Sequence, residues 1–317
     1  YFTVNFIQTS ETQQNTETAA IIKSYLDPFE TGLASGKSSN VSFKKETRTI
    51  ISCNALRNSP FGEQTIRFSD KNLRDSFGDE GEAVPVKDKY IFSEEVIQGK
   101  NWYVFAVPFF MPFKVSDIII ISSEKYCFYN TPNEIEEEIE RLQLTNINMT
   151  KDKKCAGVSV CFNPNSQESG CSVKVNTNSK TVEKDNKKVY YEGNLIYAAI
   201  FSSPEIYECN VKRLMNKAAE LGMVYNDKII LLERVGCSST IKVELANFIN
   251  SAKNLDSSTK LKSLALLSES IDKQNDAVKI NQILAILLII VLAGGTYLLF
   301  SSSSEQTEKK TAQETVN

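Results

Sequence analysis

Strand-like alternation and helix-like spacing divide this chain into two kinds of segment. At Val41–Phe43, Thr49–Cys53 and Thr65–Phe68 apolar residues fall on alternate positions, which predicts half-buried β-strands. "NWYVFAVPFFMPF" (101–113), "DIIIIS" (117–122) and "YCFYN" (126–130) are the most apolar part of the chain before residue 280 and predict its core strands. Pro108 and Pro112 have no N–H to donate and limit how far the first of these can pair. "GDEGEAVPVKDK" (78–89), acidic and glycine-containing, predicts an exposed loop.

Helical spacing appears first at Ile22, Leu26, Phe29 and Leu33, giving a helix over Ala19–Leu33 with a kink at Pro28 and a stop at Gly36. "NTPNEIEEEIERLQL" carries the clearest start signal. Thr131 is the predicted N-cap, Pro132 the first helical residue and Glu134 the partner that completes a capping box. Ile135, Ile139 and Leu142 form the inward stripe, and Glu134 and Glu136–Glu138 splay round the helix as a solvated face. "SSPEIYECNVKRLMNKAAELG" repeats the signal, with Ser202 or Ser203 as cap, Pro204 in the first turn and Gly222 as the stop. Its apolar side is Ile206, Val211, Leu214, Met215, Ala218 and Leu221. A further helix is expected around Ile241–Ala252 behind Ser238 or Ser239, and strands near Val189–Tyr191 and Leu195–Phe201. Grouped strands with a few helices and no internal repeat predict an α+β fold of mixed, mainly antiparallel strands. It would occupy residues 19–256, with a possible subdivision near 150.

The pattern changes towards the C-terminus. Thr259–Gln282 is amphipathic, with Leu264, Leu267, Ile271 and Val278 on one seam interrupted at Gln274, and predicts a juxtamembrane helix over 257–282. From Ile283 to Phe300 there is no charge, and Leu, Ile, Val and Phe dominate all round, Leu288 and Leu292 among them. Eighteen helical residues span roughly 27 Å, close to the hydrocarbon thickness of a bilayer. The twelve large apolar side chains favour insertion by about 4–7 kcal/mol. A transmembrane helix over 283–300 and a polar tail over 301–317 are therefore predicted. Gly294 and Gly295 permit close helix contact without the GxxxG spacing, so the expected partner is the lipid bilayer, with self-association through 257–300 a further possibility. At the other end, Tyr1–Ile7 are either a first strand or the remnant of an upstream hydrophobic segment, joined by a polar linker to residue 18. A chain opening on Tyr1 instead of Met points to a removed leader or a trimmed end.

Composition narrows the chemistry. The net charge is −3 with both signs interspersed, which gives no nucleic-acid footprint, and the basic runs Lys151–Lys154 and Lys184–Lys188 read as solvated turns. Histidine is absent, which removes the commonest general base, the commonest metal ligand and every Ser-His or Cys-His nucleophile pair. Cysteines stand at Cys53, Cys127, Cys155, Cys161, Cys171, Cys209 and Cys237. The C-x5-C-x9-C spacing of the middle three matches no zinc signature. The segment instead alternates as strand, turn, strand, with Val158, Val160 and Phe162 before the turn, Val173 and Val175 after it, and a cysteine on each arm, the pattern of a bridged hairpin. Disulfides imply an oxidising, extracytoplasmic compartment, and an odd count leaves one free thiol or an intermolecular bridge. "GLASGKSS" (32–39) is one residue short of a phosphate-binding loop and follows a helical pattern, so it reads as a helix stop and loop. No cofactor or metal site is predicted. Sequons at Asn40 and Asn148 lie in predicted loops, where a glycan would fit. Lysines at 260, 262, 273 and 279 before the apolar stretch, against 309 and 310 after it, favour the opposite orientation, with a cytosolic domain on a tail anchor.

"AVPFFMPFKV" (106–115), "YCFYNTPNEIEEEIERL" (126–142) and "YAAIFSSPEIYECNVKRLMNKAAEL" (197–221) resemble uncharacterised membrane-anchored surface proteins of small-genome DPANN archaea. The resemblance covers roughly residues 100–240. It implies a surface location and a hydrophobic segment near each terminus, and it brings no catalytic residue. Together these readings predict a non-enzymatic surface protein that serves contact, envelope assembly or binding of other surface proteins. The alternatives are a tail-anchored cytosolic scaffold and a histidine-independent enzyme.

Overall fold

The structure is a computed structural model that describes residues 15–16, 18–19, 22, 26, 36–56, 61–71, 76–86, 89–150, 156–164, 170–234 and 241–275. It divides into a large unit, Tyr1–Ser268, and a second, Glu269–Asn317, of which 269–275 are described. Helices and strands occur in mixed order, so the fold class is α+β as the patterning predicts.

Six strands, β1 (Lys37–Asn54), β2 (Glu63–Asp70), β3 (Val84–Val86), β4 (Ile91–Phe92), β5 (Val96–Phe110) and β6 (Lys114–Ser122), make the first sheet in the order β3-β2-β1-β5-β6-β4. Every pairing is antiparallel except β4 with β6. The runs expected as two strands at Val41–Phe43 and Thr49–Cys53 are halves of β1. A bulge between Ser42 and Thr47 carries the pairing with β5 past the polar residues between them. The loop expected over 78–89 contains β3. Pro108 is opposite Asp117 of β6, while the β1 register stops at Ala106, so the proline lies where β5 no longer has a strand on both sides.

Ile118–Ile121 of β6 are all buried, the signature of a sheet covered on both faces. On one face Ile66, Phe68, Trp102, Val104 and Ile119 pack with Ala19, Ile22 and Leu26. The Leu26 N–H donates to the Ile22 carbonyl at 3.1 Å, the bond that the predicted helical spacing calls for. Pro28, Phe29 and Leu33 lie outside the described residues. Gly36, the expected helix stop, follows residues that lie outside the described ones. It sits in the turn that enters β1 with φ +68°, where a Cβ would meet Arg141 Nη1 at 2.8 Å, and Lys37–Ser39 of the glycine-rich stretch are strand.

The second sheet runs β12-β11-β10-β9-β7-β8. It comprises β7 (Tyr126–Tyr129), β8 (Ile147–Met149), β9 (Val158–Phe162), β10 (Val173–Asn176), β11 (Thr181–Lys184) and β12 (Lys187–Tyr190), and so draws strands from both sides of residue 150. β8, β7, β9 and β10 pair parallel, then β11 and β12 antiparallel. Asp185 and Asn186 have φ of +51° and +58° and make the two-residue turn that matches strand twist. The lysines of this basic run lie on β11 and β12, however, and Lys184, bonded to Glu94 and the Ser202 carbonyl, is largely buried and not solvated as expected. α1 (Asn133–Arg141) connects β7 to β8. Its stripe of Ile135, Ile139 and Leu142 is buried as expected, but the capping box is absent. The helix starts one residue late, with extended Pro132 at the cap, and the Pro132 carbonyl accepts from Ile135 at 3.0 Å and Glu136 at 3.1 Å. The expected hairpin at Cys161 and Cys171 is also corrected. β9 and β10 are parallel, with Val173 opposite Val160, and the chain between them returns to the same end of the sheet.

α2 (Leu195–Phe201) was expected as a strand and is a helix with all seven residues buried. A segment hidden on every side has no polar face to reveal its period, so seven apolar residues fit either state. Packing decides. Phe201 lies 5.5 Å from Phe105 of the first sheet and 4.5 and 6.2 Å from Tyr126 and Phe128 of the second. The Asn194 side chain donates to the Pro108 carbonyl at 2.8 Å.

α3 (Pro204–Arg234) follows with Ser203 as a true cap, its hydroxyl accepting from Ile206 N–H at 3.3 Å. Gly222 does not stop it. The helix runs 31 residues, and Gly222 faces α4 (Lys242–Lys253), where a Cβ would meet Ile249 Cγ1 at 2.8 Å. Close helix contact, and no chain reversal, explains that glycine. α4 lies where a helix was predicted; its N-cap residue is Ile241, and Ser238 and Ser239 are outside the described residues. A 3₁₀ turn, Ser258–Lys260, leads into a helix over 261–275 on which Leu261 and Leu264 are buried. This is the described part of the predicted juxtamembrane helix; Val278 lies beyond it. Among the described residues no helix is long and apolar enough to cross a membrane. The predicted span, with Ile283, Leu288, Leu292, Gly294, Gly295 and Phe300, lies outside them.

Candidate functional site

Among the described residues, candidate features gather in three places: the disulfides, a cleft on the second sheet, and the helical arm formed by α3 and α4. Cys53 on β1 is joined to Cys209 on α3 across 156 residues of sequence, and Cys161 on β9 to Cys171 in the β9–β10 connection. Cys127 is disulfide-bonded as well, while Cys155 and Cys237 lie outside the described residues. All five described cysteines are thus oxidised. Cys127, Tyr129, Cys161 and Cys171 pack together on one face of β7 and β9.

The first disulfide is backed by a buried polar network that patterning missed. Arg213 is wholly buried. Its Nε donates to the Phe61 carbonyl at 2.9 Å, and its Nη1 donates to Gln64 Oε1 at 2.9 Å, Asn210 Oδ1 at 2.7 Å and the Lys89 carbonyl at 3.1 Å. The guanidinium lies over the Tyr90 ring, 4.8 Å from its centroid. Gln64 and Asn210 both donate to the Ile91 carbonyl, at 2.8 and 2.7 Å. With no exposure to solvent, this network holds α3 on the first sheet and offers nothing to a ligand. The readable signal was the spacing of Asn210 and Arg213, four and seven residues from Ile206, which puts them on the buried side of the helix.

A cleft of about 320 Å³ opens where β7 and β8 begin, lined by Lys125, Tyr126, Thr145, Asn146 and Asn148. Asn146 donates to the Glu124 carbonyl at 3.0 Å, and the Tyr126 hydroxyl accepts from Ser122 at 3.3 Å. Burial pushes the Tyr126 phenol well above its ordinary pKa, so it stays protonated and cannot serve as a base. The cleft is at the amino ends of parallel strands, whereas open α/β sheets bind ligands beyond their carboxyl ends, the end towards which the disulfide cluster lies here. It suits a weak polar contact. Among the described residues no group of three or more acidic or cysteine side chains could hold a metal ion. Asn148 borders this cleft on edge strand β8 and Asn40 sits on β1; both are exposed, but in strands and not in the loops expected for them.

The arm completes the inventory. Buried residues of α3 end at Gly222, and the helix packs along α4 on either side of it, joined by Lys253–Glu220 at 3.4 Å before it and Lys242–Glu233 at 2.8 Å after it. At its root Tyr225 stacks on Phe113 of the β5–β6 turn at 4.7 Å, and Phe113 meets Phe248 of α4 at 6.1 Å. Val224 beside that brace and Leu231, Leu232 and Val243 past it are 66%, 60%, 43% and 67% exposed. No family model, no curated protein and no solved structure matches this chain.

Proposed function

We propose that this chain is a membrane-anchored surface protein: a disulfide-stabilised α+β domain outside the cytoplasm, held by one C-terminal helix over 283–300 and serving contact with, or assembly of, other envelope components. The observation that carries the reading is that every described cysteine is in a disulfide, which a reducing cytosol would not maintain. The uncharged apolar run of the sequence supplies the anchor. The lysine bias before that run favours a tail-anchored cytosolic scaffold instead, but long domains cross membranes largely regardless of such a bias.

The test uses the full chain isolated with its membranes. Carbonate washing should leave it in the bilayer, and after denaturation under a thiol block no more than one of its seven cysteines should react before reduction. Seven reactive thiols would defeat the extracytoplasmic reading. Release by carbonate would defeat the anchor.

A further inference from the structure

The end of the α3–α4 arm has the character of a lipid-facing element. Ile229, Ile230, Leu231 and Leu232 occupy successive positions near the end of α3, and steps of about 100° carry four such side chains round the whole helix. A helix on the surface of a soluble domain keeps a polar side for water. This turn has none. α4 supplies protein on one side only, and Leu231 remains 60% exposed, Leu232 43% and, on α4, Val243 67%. A protein partner docking on one face would leave the others wet, whereas immersion in an acyl-chain boundary covers all of them.

The surrounding charges suit the same medium. Lys228 and Arg234 bracket the apolar turn, and Lys242 faces it from α4. Glu233, the anion that follows the turn, is held by Lys242 at 2.8 Å; Asp227 one turn back is exposed, and Glu244 beside Val243 on α4 is half-buried. Long basic side chains can lie along apolar surface while their charged ends reach headgroup phosphates. The Tyr225–Phe113–Phe248 stack braces the arm at its root, so the apolar end is presented on a rigid support.

We infer that the last turn of α3, with Val243 of α4, is a second membrane contact that dips into the headgroup–acyl boundary of an anionic bilayer. The inference rests on the membrane-anchored reading above, because an anchored domain meets that surface at high effective concentration. It has its own failure point. An environment-sensitive fluorescent amino acid is placed at Leu231 in the full chain, and in a second preparation at Leu56, which is 92% exposed beside β1. Each is reconstituted into phosphatidylcholine–phosphatidylserine vesicles with and without brominated acyl chains.

The reporter at 231 should lose most of its emission to brominated lipid, less when phosphatidylserine is omitted and little when Leu232→Glu is added, while the reporter at 56 is unaffected. A chain that floats with the vesicles but keeps full emission at 231 overturns this contact and leaves the anchor standing. Equal quenching at both positions overturns it as well. So does concentration-dependent energy transfer between labelled chains without bromine quenching, which assigns the surface to a second copy. A chain that does not float at all defeats both readings.

Discussion

Arg213 shows how far one side chain can depart from what its chemistry suggests. A guanidinium on a helix normally reaches water, yet this one is fully buried, and four acceptors and an aromatic ring surround it. Arg213→Met keeps volume but takes the guanidinium donor from the Phe61 and Lys89 carbonyls and from Asn210 Oδ1, while Gln64 Oε1 keeps the Ile91 N–H at 2.9 Å. At about 1–3 kcal/mol for a buried group left without its partner, the variant should lose at least about 3 kcal/mol in urea unfolding, with an unchanged slope. A loss below about 1 kcal/mol would show that the network does not hold α3 in place. Patterning did not reveal this position because a charge falling on an inward stripe is read as an interruption of the stripe. Gly222 was misread for a related reason. Glycine both ends helices and lets them touch, and a single sequence does not say which.

At the scale of elements, the legible segments were those with one wet and one dry side. β1, β2, the stripe of α1 and the cap of α3 carry their period openly. α2 does not, being dry all round, and β9 and β10 hide their relative direction because valines alternate identically in parallel and antiparallel pairs. A cysteine on each arm led to the expectation of a local bridge, and Cys161–Cys171 is one, but connectivity was not readable from spacing and the partner of Cys53, far away in sequence, was beyond reach. That separation has a measurable result. Loop-closure entropy assigns about 5 kcal/mol to the crosslink over 156 residues and about 3 kcal/mol to the one over 10. Replacing both members of each pair by serine should therefore lower the unfolding midpoint more for Cys53 with Cys209 than for Cys161 with Cys171. The reverse order would mean that native-state geometry outweighs chain entropy here.

For the molecule as a whole, buried phenols set an alkaline limit. Burial raises Tyr126, Tyr197 and Tyr207 well above the ordinary value of 10.0, and raises Tyr191 to about 12 with help from the Glu192 carboxylate. The folded chain holds these protons more tightly than the unfolded one. Their contribution to stability is complete below pH 10.0 and is lost as pH rises through the higher folded values. The phenolate absorbance of these four should therefore rise only late in an alkaline titration, together with the loss of circular dichroism. A single early stage with the fold intact would contradict the burial described. Fold class and most strands were legible because they follow from local period. The arm was not, since an exposed apolar turn differs from a core turn only in what surrounds it.

The placement of Phe201 has one last consequence. A single ring supplies packing to both sheets, so neither layer owns a complete interior. Cutting the gene between them would yield two fragments that each lack a wall, and grafting either layer elsewhere would require the seven-residue helix to travel with it.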